Sequence, residues 1–182
     1  RQRQMCIRDR SSYMGTEIFE LEGNINSDIF KSVLEKISDE YEVFRTNVIY
    51  DKIDVPKSVV IDKRTIPFEF HKAVTDEEIK LLTYKINAEQ FEKGFDIQRD
   101  SLIRLDLIVG ENSSVIIFSF HHILMDGYCA AMIADIIMKN YGKLLGRQIE
   151  NDGEYVPFSA YQDWIIIQDM SQSREYWHEY LK

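Results

Sequence analysis

The chain has 182 residues, 45% of them hydrophobic, with Lys+Arg 22 against Asp+Glu 31 for a formal charge of −9. That length suits one ordinary domain or one lobe of a larger assembly, and the apolar content supports a sizeable core rather than disorder. The acidic balance argues against a nucleic-acid partner, which needs clustered Lys and Arg, and no apolar run reaches the roughly 18–20 residues that span a bilayer.

The two cysteines, Cys6 and Cys129, cannot build a disulfide framework and neither belongs to a C-x-x-C pair. Their scarcity suits a reducing cytoplasm. No apolar stretch of the secretory type follows the charged Arg1-Gln2-Arg3-Gln4.

Residues 1–11, RQRQMCIRDRS, show no periodicity and read as a non-native or disordered tail, with the look of a translated sequencing adapter. The domain proper is expected over residues 12–182. Glu17 to Leu21 has strand alternation. Ser27 to Tyr41 places Phe30, Val33, Leu34, Ile37 and Tyr41 at helical spacing, which predicts an amphipathic helix. Strands are expected at Val43–Tyr50, Val59–Asp62 and Pro67–His71. Thr75 with Glu78 forms a capping box that opens a helix to about Phe91, burying Ile79, Leu82 and Ile86.

From Ser101 to Val109 the alternation is strict. Ile103, Leu105, Leu107 and Val109 point one way; Arg104 and Asp106 point the other. Gly110-Glu111-Asn112 turns this strand into Val115–Phe120, apolar on both faces and so expected at the centre of a covered sheet. A helix follows from about Tyr128 to Leu145, with Ile133, Ile136, Ile137, Tyr141 and Leu144 inward and Gly146 as its stop. Ile149–Val156 reads as a polar loop, and Ser159–Ile167 and Arg174–Leu181 as closing helices whose Tyr and Trp belong to a core. The fold class is α/β, a mixed sheet covered by helices on at least one face.

The chemistry sits in Phe120-His121-His122-Ile123-Leu124-Met125-Asp126-Gly127, which joins the central strand to a helix. Adjacent side chains on a strand diverge, so only one of the two histidines can face a given cavity. Imidazole exchanges a proton near neutral pH, and a rigid strand end holds it within reach of a reacting group. Asp126 can cap the helix or meet a cation. Gly127 offers a bare N–H. Two other readings stand beside this one: a metal site on His121, His122 and Asp126, disfavoured because the rings diverge and no further ligand has a standard spacing, and a pair of histidines satisfied by backbone.

HHILMDG resembles the HHxxxDG signature of the condensation domains of nonribosomal peptide synthetases. Other segments agree in order. Glu40-Tyr41-Glu42-Val43-Phe44-Arg45-Thr46-Asn47-Val48 resembles RHExLRTxF, departing at Tyr41 and Phe44. Gly94 to Arg104 resembles FDLxxGPLLR. Tyr161-Gln162-Asp163-Trp164 resembles YxD(F/Y)AxW, and Glu175 to Leu181 resembles the YWxxxL segment.

The resemblance implies a lobe like that of chloramphenicol acetyltransferase, a two-layer sandwich, with the second lobe lying outside residues 12–182. It implies amide formation between acyl or aminoacyl thioesters on the phosphopantetheine arms of donor and acceptor carrier proteins. The chain itself then needs no cofactor or metal, and an adenylation domain is expected in the same parent. It makes His122 the catalytic histidine and His121 structural. Asp126 is implied to form a structural salt bridge with Arg45, and the Gly127 N–H is a candidate donor to the substrate. The chain alone is expected to be inactive, since the site lies between lobes. An ester-forming HHxxxDG acyltransferase, an epimerization domain and an inactive carrier-docking lobe are the alternatives. Among other residues, Arg104 is expected to pair Asp106 or a neighbouring strand, His71 and His178 to be surface or interface residues, and Cys129 to fill space.

Overall fold

The computed structural model describes residues 13–150, 153 and 155–182. The expected tail at residues 1–11, with Cys6, therefore lies outside the described residues, as do residues 151, 152 and 154 of the expected polar loop. The chain divides into two compact units, residues 1–150 and 151–182.

The first unit is built on a four-stranded sheet ordered β1 (Met14–Glu22), β6 (Ser113–His121), β5 (Ile103–Val109) and β4 (Phe68–Lys72). β1–β6 and β6–β5 are antiparallel, while β5–β4 is parallel, so the sheet is mixed as expected. β6 is an inner strand, which is why Val115 to Phe120 lacks a polar face. Residues 110–112 close the β5–β6 hairpin, with the Gly110 N–H donating to Ser113 O at 2.8 Å. β2 (Thr46–Ile49) and β3 (Lys57–Val60) form a separate two-stranded ribbon.

One sheet face carries α1 (Ser27–Glu40) and α3 (Gly127–Leu144). Phe30, Val33, Leu34 and Ile37 of α1 and Ala130, Ile133, Ile137 and Tyr141 of α3 cover Leu105, Leu107, Ile116, Phe118 and Phe120. Each such large apolar side chain contributes roughly 1.5–3 kcal/mol by leaving water. The opposite face is covered by α2 (Asp76–Lys93), whose Ile79 and Ile86 meet Ile108, Val115 and Ile117. The sheet is thus covered on both sides, α2 adding a layer to the expected sandwich.

The helix starts follow local chemistry. Asn26 Oδ1 accepts from the Asp28 and Ile29 N–H groups to cap α1. At α2, Thr75 Oγ1 accepts from the Glu78 N–H and Glu78 reaches back to the Val74 N–H. α3 ends before Gly146, whose φ of +79° glycine adopts without strain.

Three expectations change. Glu42–Arg45 is a 3-10 turn, so the predicted strand over Val43–Tyr50 is only Thr46–Ile49. The turn buries Phe44 and commits Arg45 to backbone carbonyls, contacts a straight strand does not make. Leu144 is exposed, because α3 runs past the end of the core there. In the second unit, α4 (Phe158–Ile166) and α5 (Ser171–Tyr180) bury no residue, so their aromatics form no core. Those rings contact one another within each helix, Tyr161 on Trp164 at 5.8 Å and Tyr176 on Tyr180 at 6.0 Å.

Candidate functional site

The histidine pair lies where β6 ends, and the two rings diverge as the strand geometry requires. The His121 ring is buried and meets Phe95 edge-on with centroids 6.3 Å apart. Its Nδ1 accepts from the Ile123 N–H at 3.0 Å, which assigns its proton to Nε2. Burial first, and the neighbouring His122 second, hold His121 below the ordinary histidine range. A neutral, packed imidazole of this kind shapes the turn.

The His122 side chain is exposed. Its backbone N–H donates to Tyr13 O at 2.8 Å, and its ring lies edge-on to Phe120 with centroids 5.1 Å apart. Nδ1 is 3.2 Å from Met125 O. A carbonyl only accepts, so in the neutral ring Nδ1 carries the proton and Nε2 keeps a lone pair. That is the tautomer a proton acceptor needs.

Asp126 is the N-cap of α3, accepting from the Cys129 N–H at 3.0 Å. That bond, and after it one from the Cys129 thiol, holds the carboxyl below the ordinary carboxylate range. Gly127 begins α3, and its N–H donates to no protein acceptor among the described residues. Its backbone is not in the left-handed region, and an added Cβ would meet only Glu17 Oε1 at 3.7 Å. The space is open, so what Gly127 offers is its N–H rather than a special conformation.

The salt bridge between Asp126 and Arg45 is not formed. Arg45 Nε donates to Ser38 O at 2.7 Å, Nη1 to Ile61 O at 2.7 Å and Asp62 O at 3.1 Å, and Nη2 to Asp39 O at 3.4 Å. The guanidinium fork is filled by carbonyls at the end of α1 and beyond β3, while Asp126 is exposed and served by helix N–H groups. The other arginine position of RHExLRTxF is Glu40 here, which cannot replace it.

The 94–104 segment lies directly behind the motif. Phe95 is buried against His121, and the Arg104 guanidinium carbon sits 4.0 Å from the Phe95 ring centroid. Arg104 does not pair Asp106 directly, contrary to expectation. It donates to Gly94 O and to Gln90 Oε1, at 2.5 and 3.1 Å, and reaches Asp100 at 3.5 Å. Gln90 in turn donates to Asp106 Oδ2 at 2.9 Å, and His71 Nε2 is 3.2 Å from Asp106 Oδ1. His71 is therefore a member of a polar network rather than a lone surface residue. Burial pushes the Asp106 carboxyl above the ordinary range, opposed by its bonds from His71 and Gln90.

Sequence reasoning missed Gln90 and Asn47, both buried polar residues. Asn47 Nδ2 donates to Ile97 O and Asp100 O, and its Oδ1 accepts from Arg64, which ties β2 to the 94–104 segment. Neither carries a signal in a single sequence, because nothing local distinguishes a buried amide from an exposed one.

His121, His122 and Asp126 do not converge on a common point for a metal. Among the described residues the set that comes closest is Glu69, His71 and Asp106, with ligand atoms within 4.8 Å of one another. Its buried member is already bonded by His71 and Gln90. An apolar cavity of about 210 Å³ lies between β1, β6 and α3, lined by Phe19, Leu21, Ile116 and Met138. β1 and β6 run antiparallel with Met14 opposite His121, so that cavity is at the far end of the sheet from the motif. No helix is long and apolar enough to cross a membrane among the described residues.

A family model described as Condensation domain matches residues 3–182. A plipastatin synthase of Bacillus subtilis is 33% identical over 94% of this chain, which spans 7% of that protein. Tyrocidine synthase 2 of Brevibacillus parabrevis is 30% identical over 96% of the chain and 5% of its own length. Among solved structures, the starter condensation domain of a rhizomide synthetase superposes with a TM-score of 0.84 at 17% identity, covering 98% of this chain and 44% of that one. The SgcC5 protein of Streptomyces globisporus gives 0.78 at 17%, covering 93% and 40%. The chain thus spans less than a tenth of these synthetases and under half of these structural neighbours.

Proposed function

This chain belongs to the condensation-domain family of nonribosomal peptide synthetases, and on that footing we propose that it supplies the histidine-bearing half of a site that makes an amide bond between carrier-bound thioesters. The observation that carries the reading is the His122 imidazole: exposed, fixed through Nδ1, and left with a free lone pair on Nε2.

The chemistry follows from that ring. The nitrogen of the acceptor amine attacks the carbonyl carbon of the donor thioester, and Nε2 takes the proton the amine must lose. The tetrahedral oxyanion collapses, the C–S bond breaks, and the leaving thiolate takes the proton back from Nε2, which restores the neutral imidazole. The unpartnered Gly127 N–H at the start of α3 supports electrostatic stabilisation of the substrate oxygen. Phosphopantetheine belongs to the donor and acceptor carrier proteins and enters as part of the substrates. His121 and Asp126 shape the turn and take no proton from the substrate.

The test is His122→Ala in the parent synthetase, with loaded donor and acceptor carriers. Amide formation should fall by about 10²–10⁴-fold, the usual contribution of a positioned base. Unchanged product formation refutes the reading. An alcohol-bearing acceptor in parallel separates the ester-forming alternative, which turns over the alcohol in preference to the amine.

A further inference from the structure

We propose that Gly15 is a positioning residue for His122: its missing side chain is the space in which the Phe120 ring lies, and that ring sets the orientation of the imidazole. The consequence for turnover rests on the reading of His122 given above; the geometry does not.

Gly15 stands opposite Phe120 in the antiparallel β1–β6 pair. A Cβ at Gly15 would lie 2.5 Å from Phe120 Cζ, 2.8 Å from Cε2, and 3.1 Å from His122 Nε2. Carbon atoms rest at roughly 3.5–4.0 Å, so one or both rings must move. Gly15 is not in the left-handed backbone region. The position therefore asks for space and not for a conformation only glycine reaches.

Phe120 has little freedom to yield. It is 1% exposed and packed against Phe118 at 5.4 Å between centroids. His122 is held on three sides, by its N–H to Tyr13 O, by Nδ1 to Met125 O, and by its edge-on contact with Phe120. Tyr13 lies two residues before Gly15, so the strand that ties the His122 backbone also leaves the room its ring needs. A methyl group at residue 15 drives the imidazole outward, and the 3.2 Å contact between Nδ1 and Met125 O is the bond at risk. The loss of that bond frees the proton to either ring nitrogen.

The direct test is the two-bond ¹H–¹⁵N spectrum of the ¹⁵N-histidine-labelled chain in alkaline buffer. The unsubstituted chain should show His122 as the single tautomer protonated on Nδ1, and Gly15→Ala should show both tautomers mixed. Gly110→Ala is the matched control. Its Cβ would lie 2.6 Å from Ile79 Cδ1, a comparable intrusion on the other sheet face, and His122 should keep its single tautomer there. A single Nδ1–H tautomer in Gly15→Ala overturns the proposal. If Gly15→Ala does not fold, Phe120→Leu decides, since it removes the ring without adding a clash; a retained single tautomer in that variant overturns the proposal equally.

In the parent synthetase, Gly15→Ala should lower kcat on the order of 100-fold, the cost of a misplacement near 1 Å, with the KM for the acceptor changed by less than about threefold. Mixed tautomers with undiminished turnover would uphold Gly15 and sink the catalytic role of His122, so the two failures are distinguishable.

Discussion

The two faces of the sheet solve the burial problem in opposite ways. Beneath α1 and α3 the strands present the apolar Ile103, Leu105, Leu107, Ile116, Phe118 and Phe120, with the buried Ser114 hydroxyl bonded to the Ile25 N–H and Gly23 O at the end of β6 away from the motif. Beneath α2 the same strands present Arg104 and Asp106 beside Ile108 and Ile117, and the helix answers with Gln90. On the first face energy is spread over many small contacts, so a lost methyl group is felt in proportion. On the second, Arg104, Gln90 and Asp106 depend on one another, on Gly94 O and on His71, and removing one strands the others without water. His122 emerges past the end of the apolar face beside Phe120, while His121 turns toward the polar one through Phe95. The exposed imidazole of His122 thus lies at the end of the apolar face, and the covered one of His121 lies beside the polar network.

The greatest loss is expected for Phe118→Ala on the apolar face, which should lower unfolding free energy by about 4 kcal/mol in urea titration. Arg104→Met should follow at about 3 kcal/mol, because Gln90 and Gly94 O lose a buried charged donor. The decisive contrast is between conservative changes. Ile116→Val should cost only about 1 kcal/mol, whereas Arg104→Lys should still cost about 2 kcal/mol, since an ammonium cannot fill the fork. Equal costs for the two would erase the distinction between the faces.

Arg45→Met should cost about 1.5–3 kcal/mol through its lost carbonyl bonds. Asp126→Asn should leave the melting temperature nearly unchanged, since asparagine caps a helix as well as aspartate. The two changes should be additive when combined; a clear coupling in the double-mutant cycle restores the ion pair that the structure lacks.

The mildest consequence is a pH dependence. His121 is held below its ordinary value of 6.5, so the unfolded chain binds a proton there before the folded one does. Its contribution is complete above that value and is lost as pH falls below it toward the folded value. Melting temperature should therefore decline on acidification through this window, and His121→Gln should flatten the decline. An unaltered profile in His121→Gln assigns the dependence to other groups.

Much of the layout was legible without coordinates, for reasons specific to each element. The strict alternation at 103–109 showed which residues of β5 face which layer. The two-sided apolar run at 115–120 placed β6 inside the sheet. Asn47 and Gln90 were not legible, because a buried amide is defined by partners 17 to 53 residues away for Asn47 and 14–16 residues away for Gln90. The 3-10 turn at Glu42–Arg45 was missed because the side chains of Val43 and Phe44 favour a strand, and it is Arg45 reaching for carbonyls on two other segments that bends the chain.

At the site, the order of amino acids was enough to name the groups and their sequence along the chain: two histidines at a strand end, a capping aspartate, and a glycine opening a helix. These are local facts, set by side-chain chemistry and by the two-residue repeat of a strand. It took the folded arrangement to settle which histidine is covered and which is free, that Arg45 serves carbonyls and leaves Asp126 alone, and that Gly15, more than a hundred residues upstream, lies beneath the imidazole. Those outcomes depend on what packs beside each group, and packing is settled by segments that meet only when the sheet closes.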